Sequence, residues 1–184
     1  MPGLTERDLL DALWNRLTRA ANGFTPRYVV AEQVRHDPTY GNHIADAIAL
    51  DTWGSGHYAL EGYEVKTSRA DWRREIRETV DRHGRTKGGL GKSLPWRQHC
   101  ARWYILAPAN VVPVDELPDG WGLVEAHGTD VSTIRLRARV KAANRPQDAL
   151  PLPPRQVAGL MRAVAQTATF HTTRSHRLDN HPAR

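Results

Sequence analysis

Gly62-Tyr-Glu-Val-Lys-Thr-Ser-Arg-Ala-Asp-Trp-Arg-Arg-Glu75 is the stretch from which the rest of the chain is read. Its first half continues a β-rich run, Tyr58 to Thr67. Its second half opens on Ser68-Arg-Ala-Asp71, which resembles a capping box and predicts a helix of about ten residues through Glu78. On the strand, Glu64 and Lys66 share one face while Tyr63 and Val65 point to the other. Upstream, Ile44 to Leu50 is a second predicted strand, joined by the hairpin-length turn Asp51-Thr-Trp-Gly-Ser-Gly-His57. Folding the two strands onto each other brings Asp46 to Glu64, so two carboxylates meet beside one ammonium.

Working outward, Thr5 through Arg19 is a predicted amphipathic helix, with Leu9, Leu10, Leu13, Trp14 and Leu17 on one stripe. Arg27 to Val34 predicts a strand, and His36 to Asn42 a loop. Downstream, residues 81–95 hold four glycines and five basic residues and predict a flexible basic loop. Trp96 to Arg102 predicts a short helix. Trp103-Tyr-Ile-Leu-Ala107 is an apolar strand stopped by Pro108, and Gly122 to Glu125 and Thr133 to Arg139 are further short strands. In the last, Ile134, Leu136 and Ala138 alternate with Arg135, Arg137 and Arg139, giving one buried and one basic face. Pro153-Pro154 starts a helix with Val157, Leu160, Met161, Val164 and Ala165 on one stripe. From Thr167 the chain turns polar. The expectation is one α/β domain over residues 1–166, with a short mixed central sheet flanked by helices, and a disordered tail over 167–184.

Composition bounds the function classes. The 184 residues allow one domain of ordinary size. No apolar run reaches the length of a membrane span, and the acidic N-terminal segment lacks signal-peptide character. One cysteine, Cys100, excludes an internal disulfide framework and fits a reducing cytosol, so a cytoplasmic location is expected. The net charge of +6 divides unevenly: −4 over residues 1–65, +7 over 66–102, −5 over 103–133 and +8 over 134–184. The first change of sign falls at Glu64-Val65-Lys66. Acids held beside a basic surface suit metal-dependent phosphodiester chemistry, in which acids bind metal and bases bind phosphate. Solvated helix faces are the competing reading of the basic runs.

Asp and Glu oxygens are hard ligands suited to Mg²⁺ or Mn²⁺, which keep several waters. A bound water can be deprotonated to attack phosphorus, with the metal and Lys66 stabilising the phosphate charge. The alternative is a plain surface ion pair, worth little. Against it, Asp46 is flanked by Ile44, Ala45, Ala47 and Ile48 and Glu64 by Tyr63 and Val65, so both belong to core strands, where charges are rare unless paired or metal-bound.

The pattern Ile44-Ala45-Asp46 followed by Glu64-Val65-Lys66 resembles the PD-(D/E)xK nuclease superfamily, and the order helix, strand, Asp-strand, E-x-K strand, helix, strand follows that fold's core. The run from Gly62 to Glu75, the strand His99-Cys-Ala-Arg-Trp-Tyr-Ile-Leu-Ala-Pro108 and the stretch Glu116-Leu-Pro-Asp-Gly-Trp-Gly-Leu123 are similar to a branch related to MmcB-type DNA repair proteins of bacteria and actinobacterial phages. The likeness covers residues 27–137. It departs at Cys100-Ala101, where the branch often has Cys-Asp, and in the longer insert at 81–95. The resemblance implies a restriction-endonuclease-like α/β core and a Mg²⁺-dependent deoxyribonuclease in DNA repair or phage DNA metabolism, acting in the host cytoplasm if phage-encoded. The alternative is a non-catalytic DNA-binding module on the same fold, and an RNA-directed nuclease is a third reading.

In this reading Asp46 and Glu64 ligate metal and Lys66 positions the water. Glu32, matching the branch's Glu-Val position, is the expected upstream acid, with Glu6 its rival on the first helix. Arg69, Arg73 and Arg74, with Lys87 and Lys92 in the basic loop, are the expected phosphate contacts. The expected partner is DNA, not a membrane, and a homodimer is left open. Gly88-Gly-Leu-Gly-Lys-Ser93 ends like a phosphate-binding loop, but Thr86 stands where the first glycine belongs and a helix precedes it. No second cysteine stands at zinc spacing from Cys100.

Overall fold

The computed structural model describes residues 3–19, 25–36, 43–80, 86–88, 94–129, 132–145 and 148–179. Helix α1, Glu6–Leu17, starts at Thr5, whose hydroxyl accepts from the Asp8 N–H while the Asp8 carboxylate accepts from the Thr5 N–H. Leu9, Leu10, Leu13 and Leu17 form its buried stripe. The helix stops two residues short of the expected Arg19.

Six strands make one sheet: β1 (Tyr28–Arg35), β2 (Ile44–Asp51), β3 (Leu60–Val65), β6 (Arg102–Pro108), β7 (Gly122–His127) and β8 (Arg135–Val140), adjacent in that order. β4 (Glu78–Val80) and β5 (Thr86–Gly88) form a separate antiparallel pair; β4 begins at Glu78, where the expected helix was to end, and β5 falls within the expected loop. β1, β2 and β3 run antiparallel in succession; β3, β6 and β7 are parallel; β8 returns antiparallel. The α/β class with a mixed sheet flanked by helices is therefore as expected. β3 is shorter than the run from Tyr58, because His57 and Tyr58 both hold left-handed backbone (φ 57° and 53°) that ends the turn.

Each face of the sheet carries a core. On one, α1 packs its leucines against Val30, Ala47, Ala49, Tyr63, Val65 and Leu106. On the other lie Trp72 of α2 (Arg69–Ile76), Trp96 of α3 (Leu94–Arg97), Trp103, Ile105 and Trp121. Trp72 and Trp96, lodged between basic residues in the sequence, are core side chains at 0% and 2% exposure. Gly62 is required here: a Cβ on it would lie 2.0 Å from the Trp103 ring.

Helix α4 runs Pro154–Asp179, which corrects the expectation of a disordered tail from Thr167. The expectation followed polarity, but the polar side chains turn inward. Thr167 and His171 are 5% and 9% exposed. α4 packs along the sheet's outer strand β1, whose Glu32 N–H donates to Thr167 Oγ1 at 2.9 Å. A helix laid along an edge strand satisfies backbone groups that would otherwise be open to pairing. Residues 180–184 lie outside the described residues.

Candidate functional site

β2 and β3 pair regularly from Leu50↔Leu60 to Ala47↔Tyr63, and there the ladder ends. The next position would set Asp46 against Glu64. Instead the Val65 N–H donates to Asp46 Oδ2 at 2.7 Å, so the carboxylate takes the place of a strand carbonyl. On its other side Asp46 faces Gln33, which holds left-handed backbone (φ 50°) between the paired residues Glu32↔Ala47 and Val34↔Ala45. Gln33 Nε2 donates to Glu6 Oε1 at 2.8 Å.

Glu64 and Lys66 are 4% and 3% exposed, as the core-strand argument required. Lys66 Nζ donates to Glu64 Oε1 at 2.9 Å and stands 3.1 Å from Glu75 Oε2 on α2. Glu64 and Glu75 thus share one buried ammonium. Burial, and then the Glu64 charge, push the Asp46 carboxyl up to about 7, with a smaller push from Glu6; the Val65 N–H and Lys66 act in the opposite direction. A carboxyl raised by a neighbouring carboxylate marks a place where added positive charge is favoured. Two hard oxygen side chains with an excess of negative charge fit a magnesium-sized cation, which commonly takes one or two carboxylates and keeps waters. Among the described residues no group of three or more His, Cys, Asp and Glu side chains is arranged to hold a metal ion.

The structure does not bring Glu32 to the pair. Glu32 stands opposite Ala47, on the face that carries Tyr63 and Val65, whereas Asp46 falls with Glu64 on the other. Its carboxylate accepts from Arg7 Nη1 at 2.6 Å and Nη2 at 2.9 Å, and lies 2.8 Å from His171 Nε2. Burial alone would raise the Glu32 carboxyl, but hydrogen bonds and charge from Arg7 and His171 leave it below its ordinary value. Glu6, the rival, is the upstream acid whose charge reaches Asp46.

The expected phosphate contacts separate in the same way. Arg69 is engaged by both Glu116 oxygens, and Trp72 Nε1 donates to the same carboxylate at 2.9 Å, so this pair ties α2 to the turn at 114–116. Arg73 and Arg74 are exposed on α2, Arg74 lying 3.5 Å from Asp71. Lys87 belongs to β5, and Lys92 lies outside the described residues.

Sequence reasoning missed Glu75. Its signal was available, because Trp72, Glu75 and Ile76 follow helical spacing and set an acid on the inward stripe of a polar helix. It also missed the second buried cluster at the far end of the sheet, where Glu61 accepts from Tyr63 and pairs with Arg102, and Asp51 pairs with Arg27.

No family model matches this chain. No curated protein matches it. Among solved structures it is similar to the SPO1766 protein of unknown function from Silicibacter pomeroyi, with 17% identity, a TM-score of 0.57 and coverage of 98% of this chain and 97% of that one. At that identity the likeness shows the fold.

Proposed function

We propose that this protein is a Mg²⁺- or Mn²⁺-dependent nuclease that hydrolyses phosphodiester bonds in DNA, of the PD-(D/E)xK kind. One observation carries the reading: where β2 and β3 cease to pair, Asp46 follows in register towards Glu64, whose charge acts on it, and Lys66 is buried against Glu64. Asp46 and Glu64 would hold the cation, which when bound lowers the pKa of a coordinated water and offsets negative charge on the phosphate. The protein's own groups prepare the rest. The Val65 N–H fixes the Asp46 carboxylate in orientation. Glu64 and Glu75 hold the Lys66 ammonium, a positive charge preset for the charge that develops on the phosphoryl oxygens and for the attacking water. Arg73 and Arg74 on α2, with Lys87 and Lys92, would take the strand's phosphates, while Arg69 steadies the helix through Glu116. The resemblance adds DNA repair or phage DNA metabolism in the cytoplasm as the setting. No helix among the described residues is long and apolar enough to cross a membrane.

A second reading, a DNA-binding module without turnover, draws on the same lysine: a buried Lys66 shared by two carboxylates is also a self-sufficient structural ion cluster. Cleavage assays with single-stranded, double-stranded and branched DNA, with and without Mg²⁺, separate the two. The nuclease reading predicts Mg²⁺-dependent cleavage that Asp46→Asn lowers at least about 100-fold. A protein that binds DNA with a salt-dependent but Mg²⁺-independent affinity, and never cleaves it, is the module.

A further inference from the structure

Strand β8 is the sheet's last strand and pairs only with β7 among the described residues. Arg135, Arg137 and Arg139 are all exposed on it. Among the described residues none of the three has a carboxylate within ion-pairing distance; the contact Arg135 makes is to the Ile134 carbonyl. The charge continues onto α1. Arg16 and Arg19 line, with Arg135, an open groove of about 1020 Å³ whose other polar walls are Asn15, Thr18 and Ser132, with no acid among them. Arg16 donates to the Leu136 carbonyl, which brings the helix end to the strand.

Register relates this edge to the candidate site. Glu64 stands opposite Ile105 on β6, and two residues along, Ala107, Glu125 and Arg137 stand in one row across β6, β7 and β8. Arg137 therefore shares a sheet face with Glu64, three strands away. With strands about 4.8 Å apart, that is a lateral distance of about 14 Å, short enough for one nucleic acid to span. α1, with Arg16 and Arg19, lies against the opposite face, so the basic surface turns around the β8 edge. A single charge suffices to stop an edge strand from pairing with another chain. A strand with arginine at every second position, extended by two more from a helix, exceeds that need and matches a polyanion.

We propose that Arg135, Arg137 and Arg139, with Arg16 and Arg19, form a second phosphate-binding surface that holds the DNA backbone away from the point of cleavage. This rests on the nucleic-acid reading above and adds a surface that reading did not use. The contacts are to phosphate, so they raise affinity for any sequence and steepen its salt dependence.

The test is fluorescence-anisotropy titration of a labelled DNA duplex in EDTA at several salt concentrations. It compares the wild type, Arg135→Ala/Arg137→Ala/Arg139→Ala and the corresponding triple lysine variant, each checked by its melting temperature. The alanine variant should bind at least tenfold more weakly at low salt, with a slope of log affinity against log salt smaller by about 2 to 3. The lysine variant should recover most of the affinity. Wild-type affinity and slope in the alanine variant would overturn the proposal, as would an affinity for phosphatidylserine vesicles that depends on these arginines while DNA binding ignores them. Cleavage is read separately. A protein that binds DNA through β8 and never cleaves it refutes the nuclease and leaves this surface standing. One that cleaves, with binding indifferent to the three arginines, refutes this surface alone.

Discussion

Burial and the Glu64 charge hold the Asp46 carboxyl well above its ordinary range, and the consequence for stability has a definite sign. The folded carboxyl titrates near 7, while the unfolded value is 3.8. Between those values the native state binds more protons than the unfolded one, so stability falls as pH rises through that window. In metal-free buffer the melting temperature should drop between about pH 4 and pH 7 by more in the wild type than in Asp46→Asn. Equal slopes in the two proteins would refute the assignment. Lys66 gives the complementary case. Lys66→Ala leaves Glu64 and Glu75 buried without their shared cation, and chemical denaturation should show a loss of about 3 to 5 kcal/mol. For that reason Asp46→Asn, not Lys66→Ala, is the clean probe of catalysis. At this scale the sequence was informative where strand alternation set Glu64 and Lys66 on one face and apolar neighbours implied burial. It was silent on Glu75, whose role depends on how α2 is laid over the sheet, and it misplaced Glu32, because which face of β1 meets Asp46 depends on a register that no local pattern states.

Among the elements, α4 departs furthest from expectation. Residues beyond Gln166 are mostly polar, yet they hold a network that joins three elements: Arg7 reaches Asp11 and Glu32, His171 reaches Glu32 and stacks on Trp14 with ring centroids 4.2 Å apart, and Arg174 pairs with Asp11 at 2.6 Å. Hydrophobic periodicity cannot reveal a helix whose inward stripe is made of Thr167, His171 and Arg174, because their partners lie on α1 and β1. Ending the chain after Gln166 should therefore destabilise it strongly, leaving Arg7 and Glu32 without the helix that covers them, and His171→Ala alone should cost about 1 to 3 kcal/mol. A truncated protein with an unchanged denaturation midpoint would contradict this packing. On β3, Gly62→Ala drives a methyl into the Trp103 ring and should cost about 1 to 3 kcal/mol, read from the same midpoint. Here the sequence had placed the element well: the strand, the Ser68 cap and the helix after it all lie within a few residues of their expected bounds, because each is set by local chemistry.

Across the whole molecule, the division of charge along the chain becomes a division in space. The acidic first third supplies Asp46, Glu64 and Glu6 at the point where two strands part. The basic segments supply α2 on one side and β8 on the far edge. Order along the sheet, β1-β2-β3-β6-β7-β8, is what converts one into the other, and it was legible only in outline, since strand count and alternation do not say which strands are neighbours. The central claim is that Asp46 and Glu64 form a metal site for DNA hydrolysis. Its most direct test is the rate of DNA cleavage by the wild type and by Asp46→Asn, with Mg²⁺ and with EDTA, in protein confirmed to be folded. The account predicts cleavage by the wild type with Mg²⁺ only, and a loss of at least about 100-fold in the variant. Equal cleavage by both proteins, or none by either under any divalent cation, would contradict it.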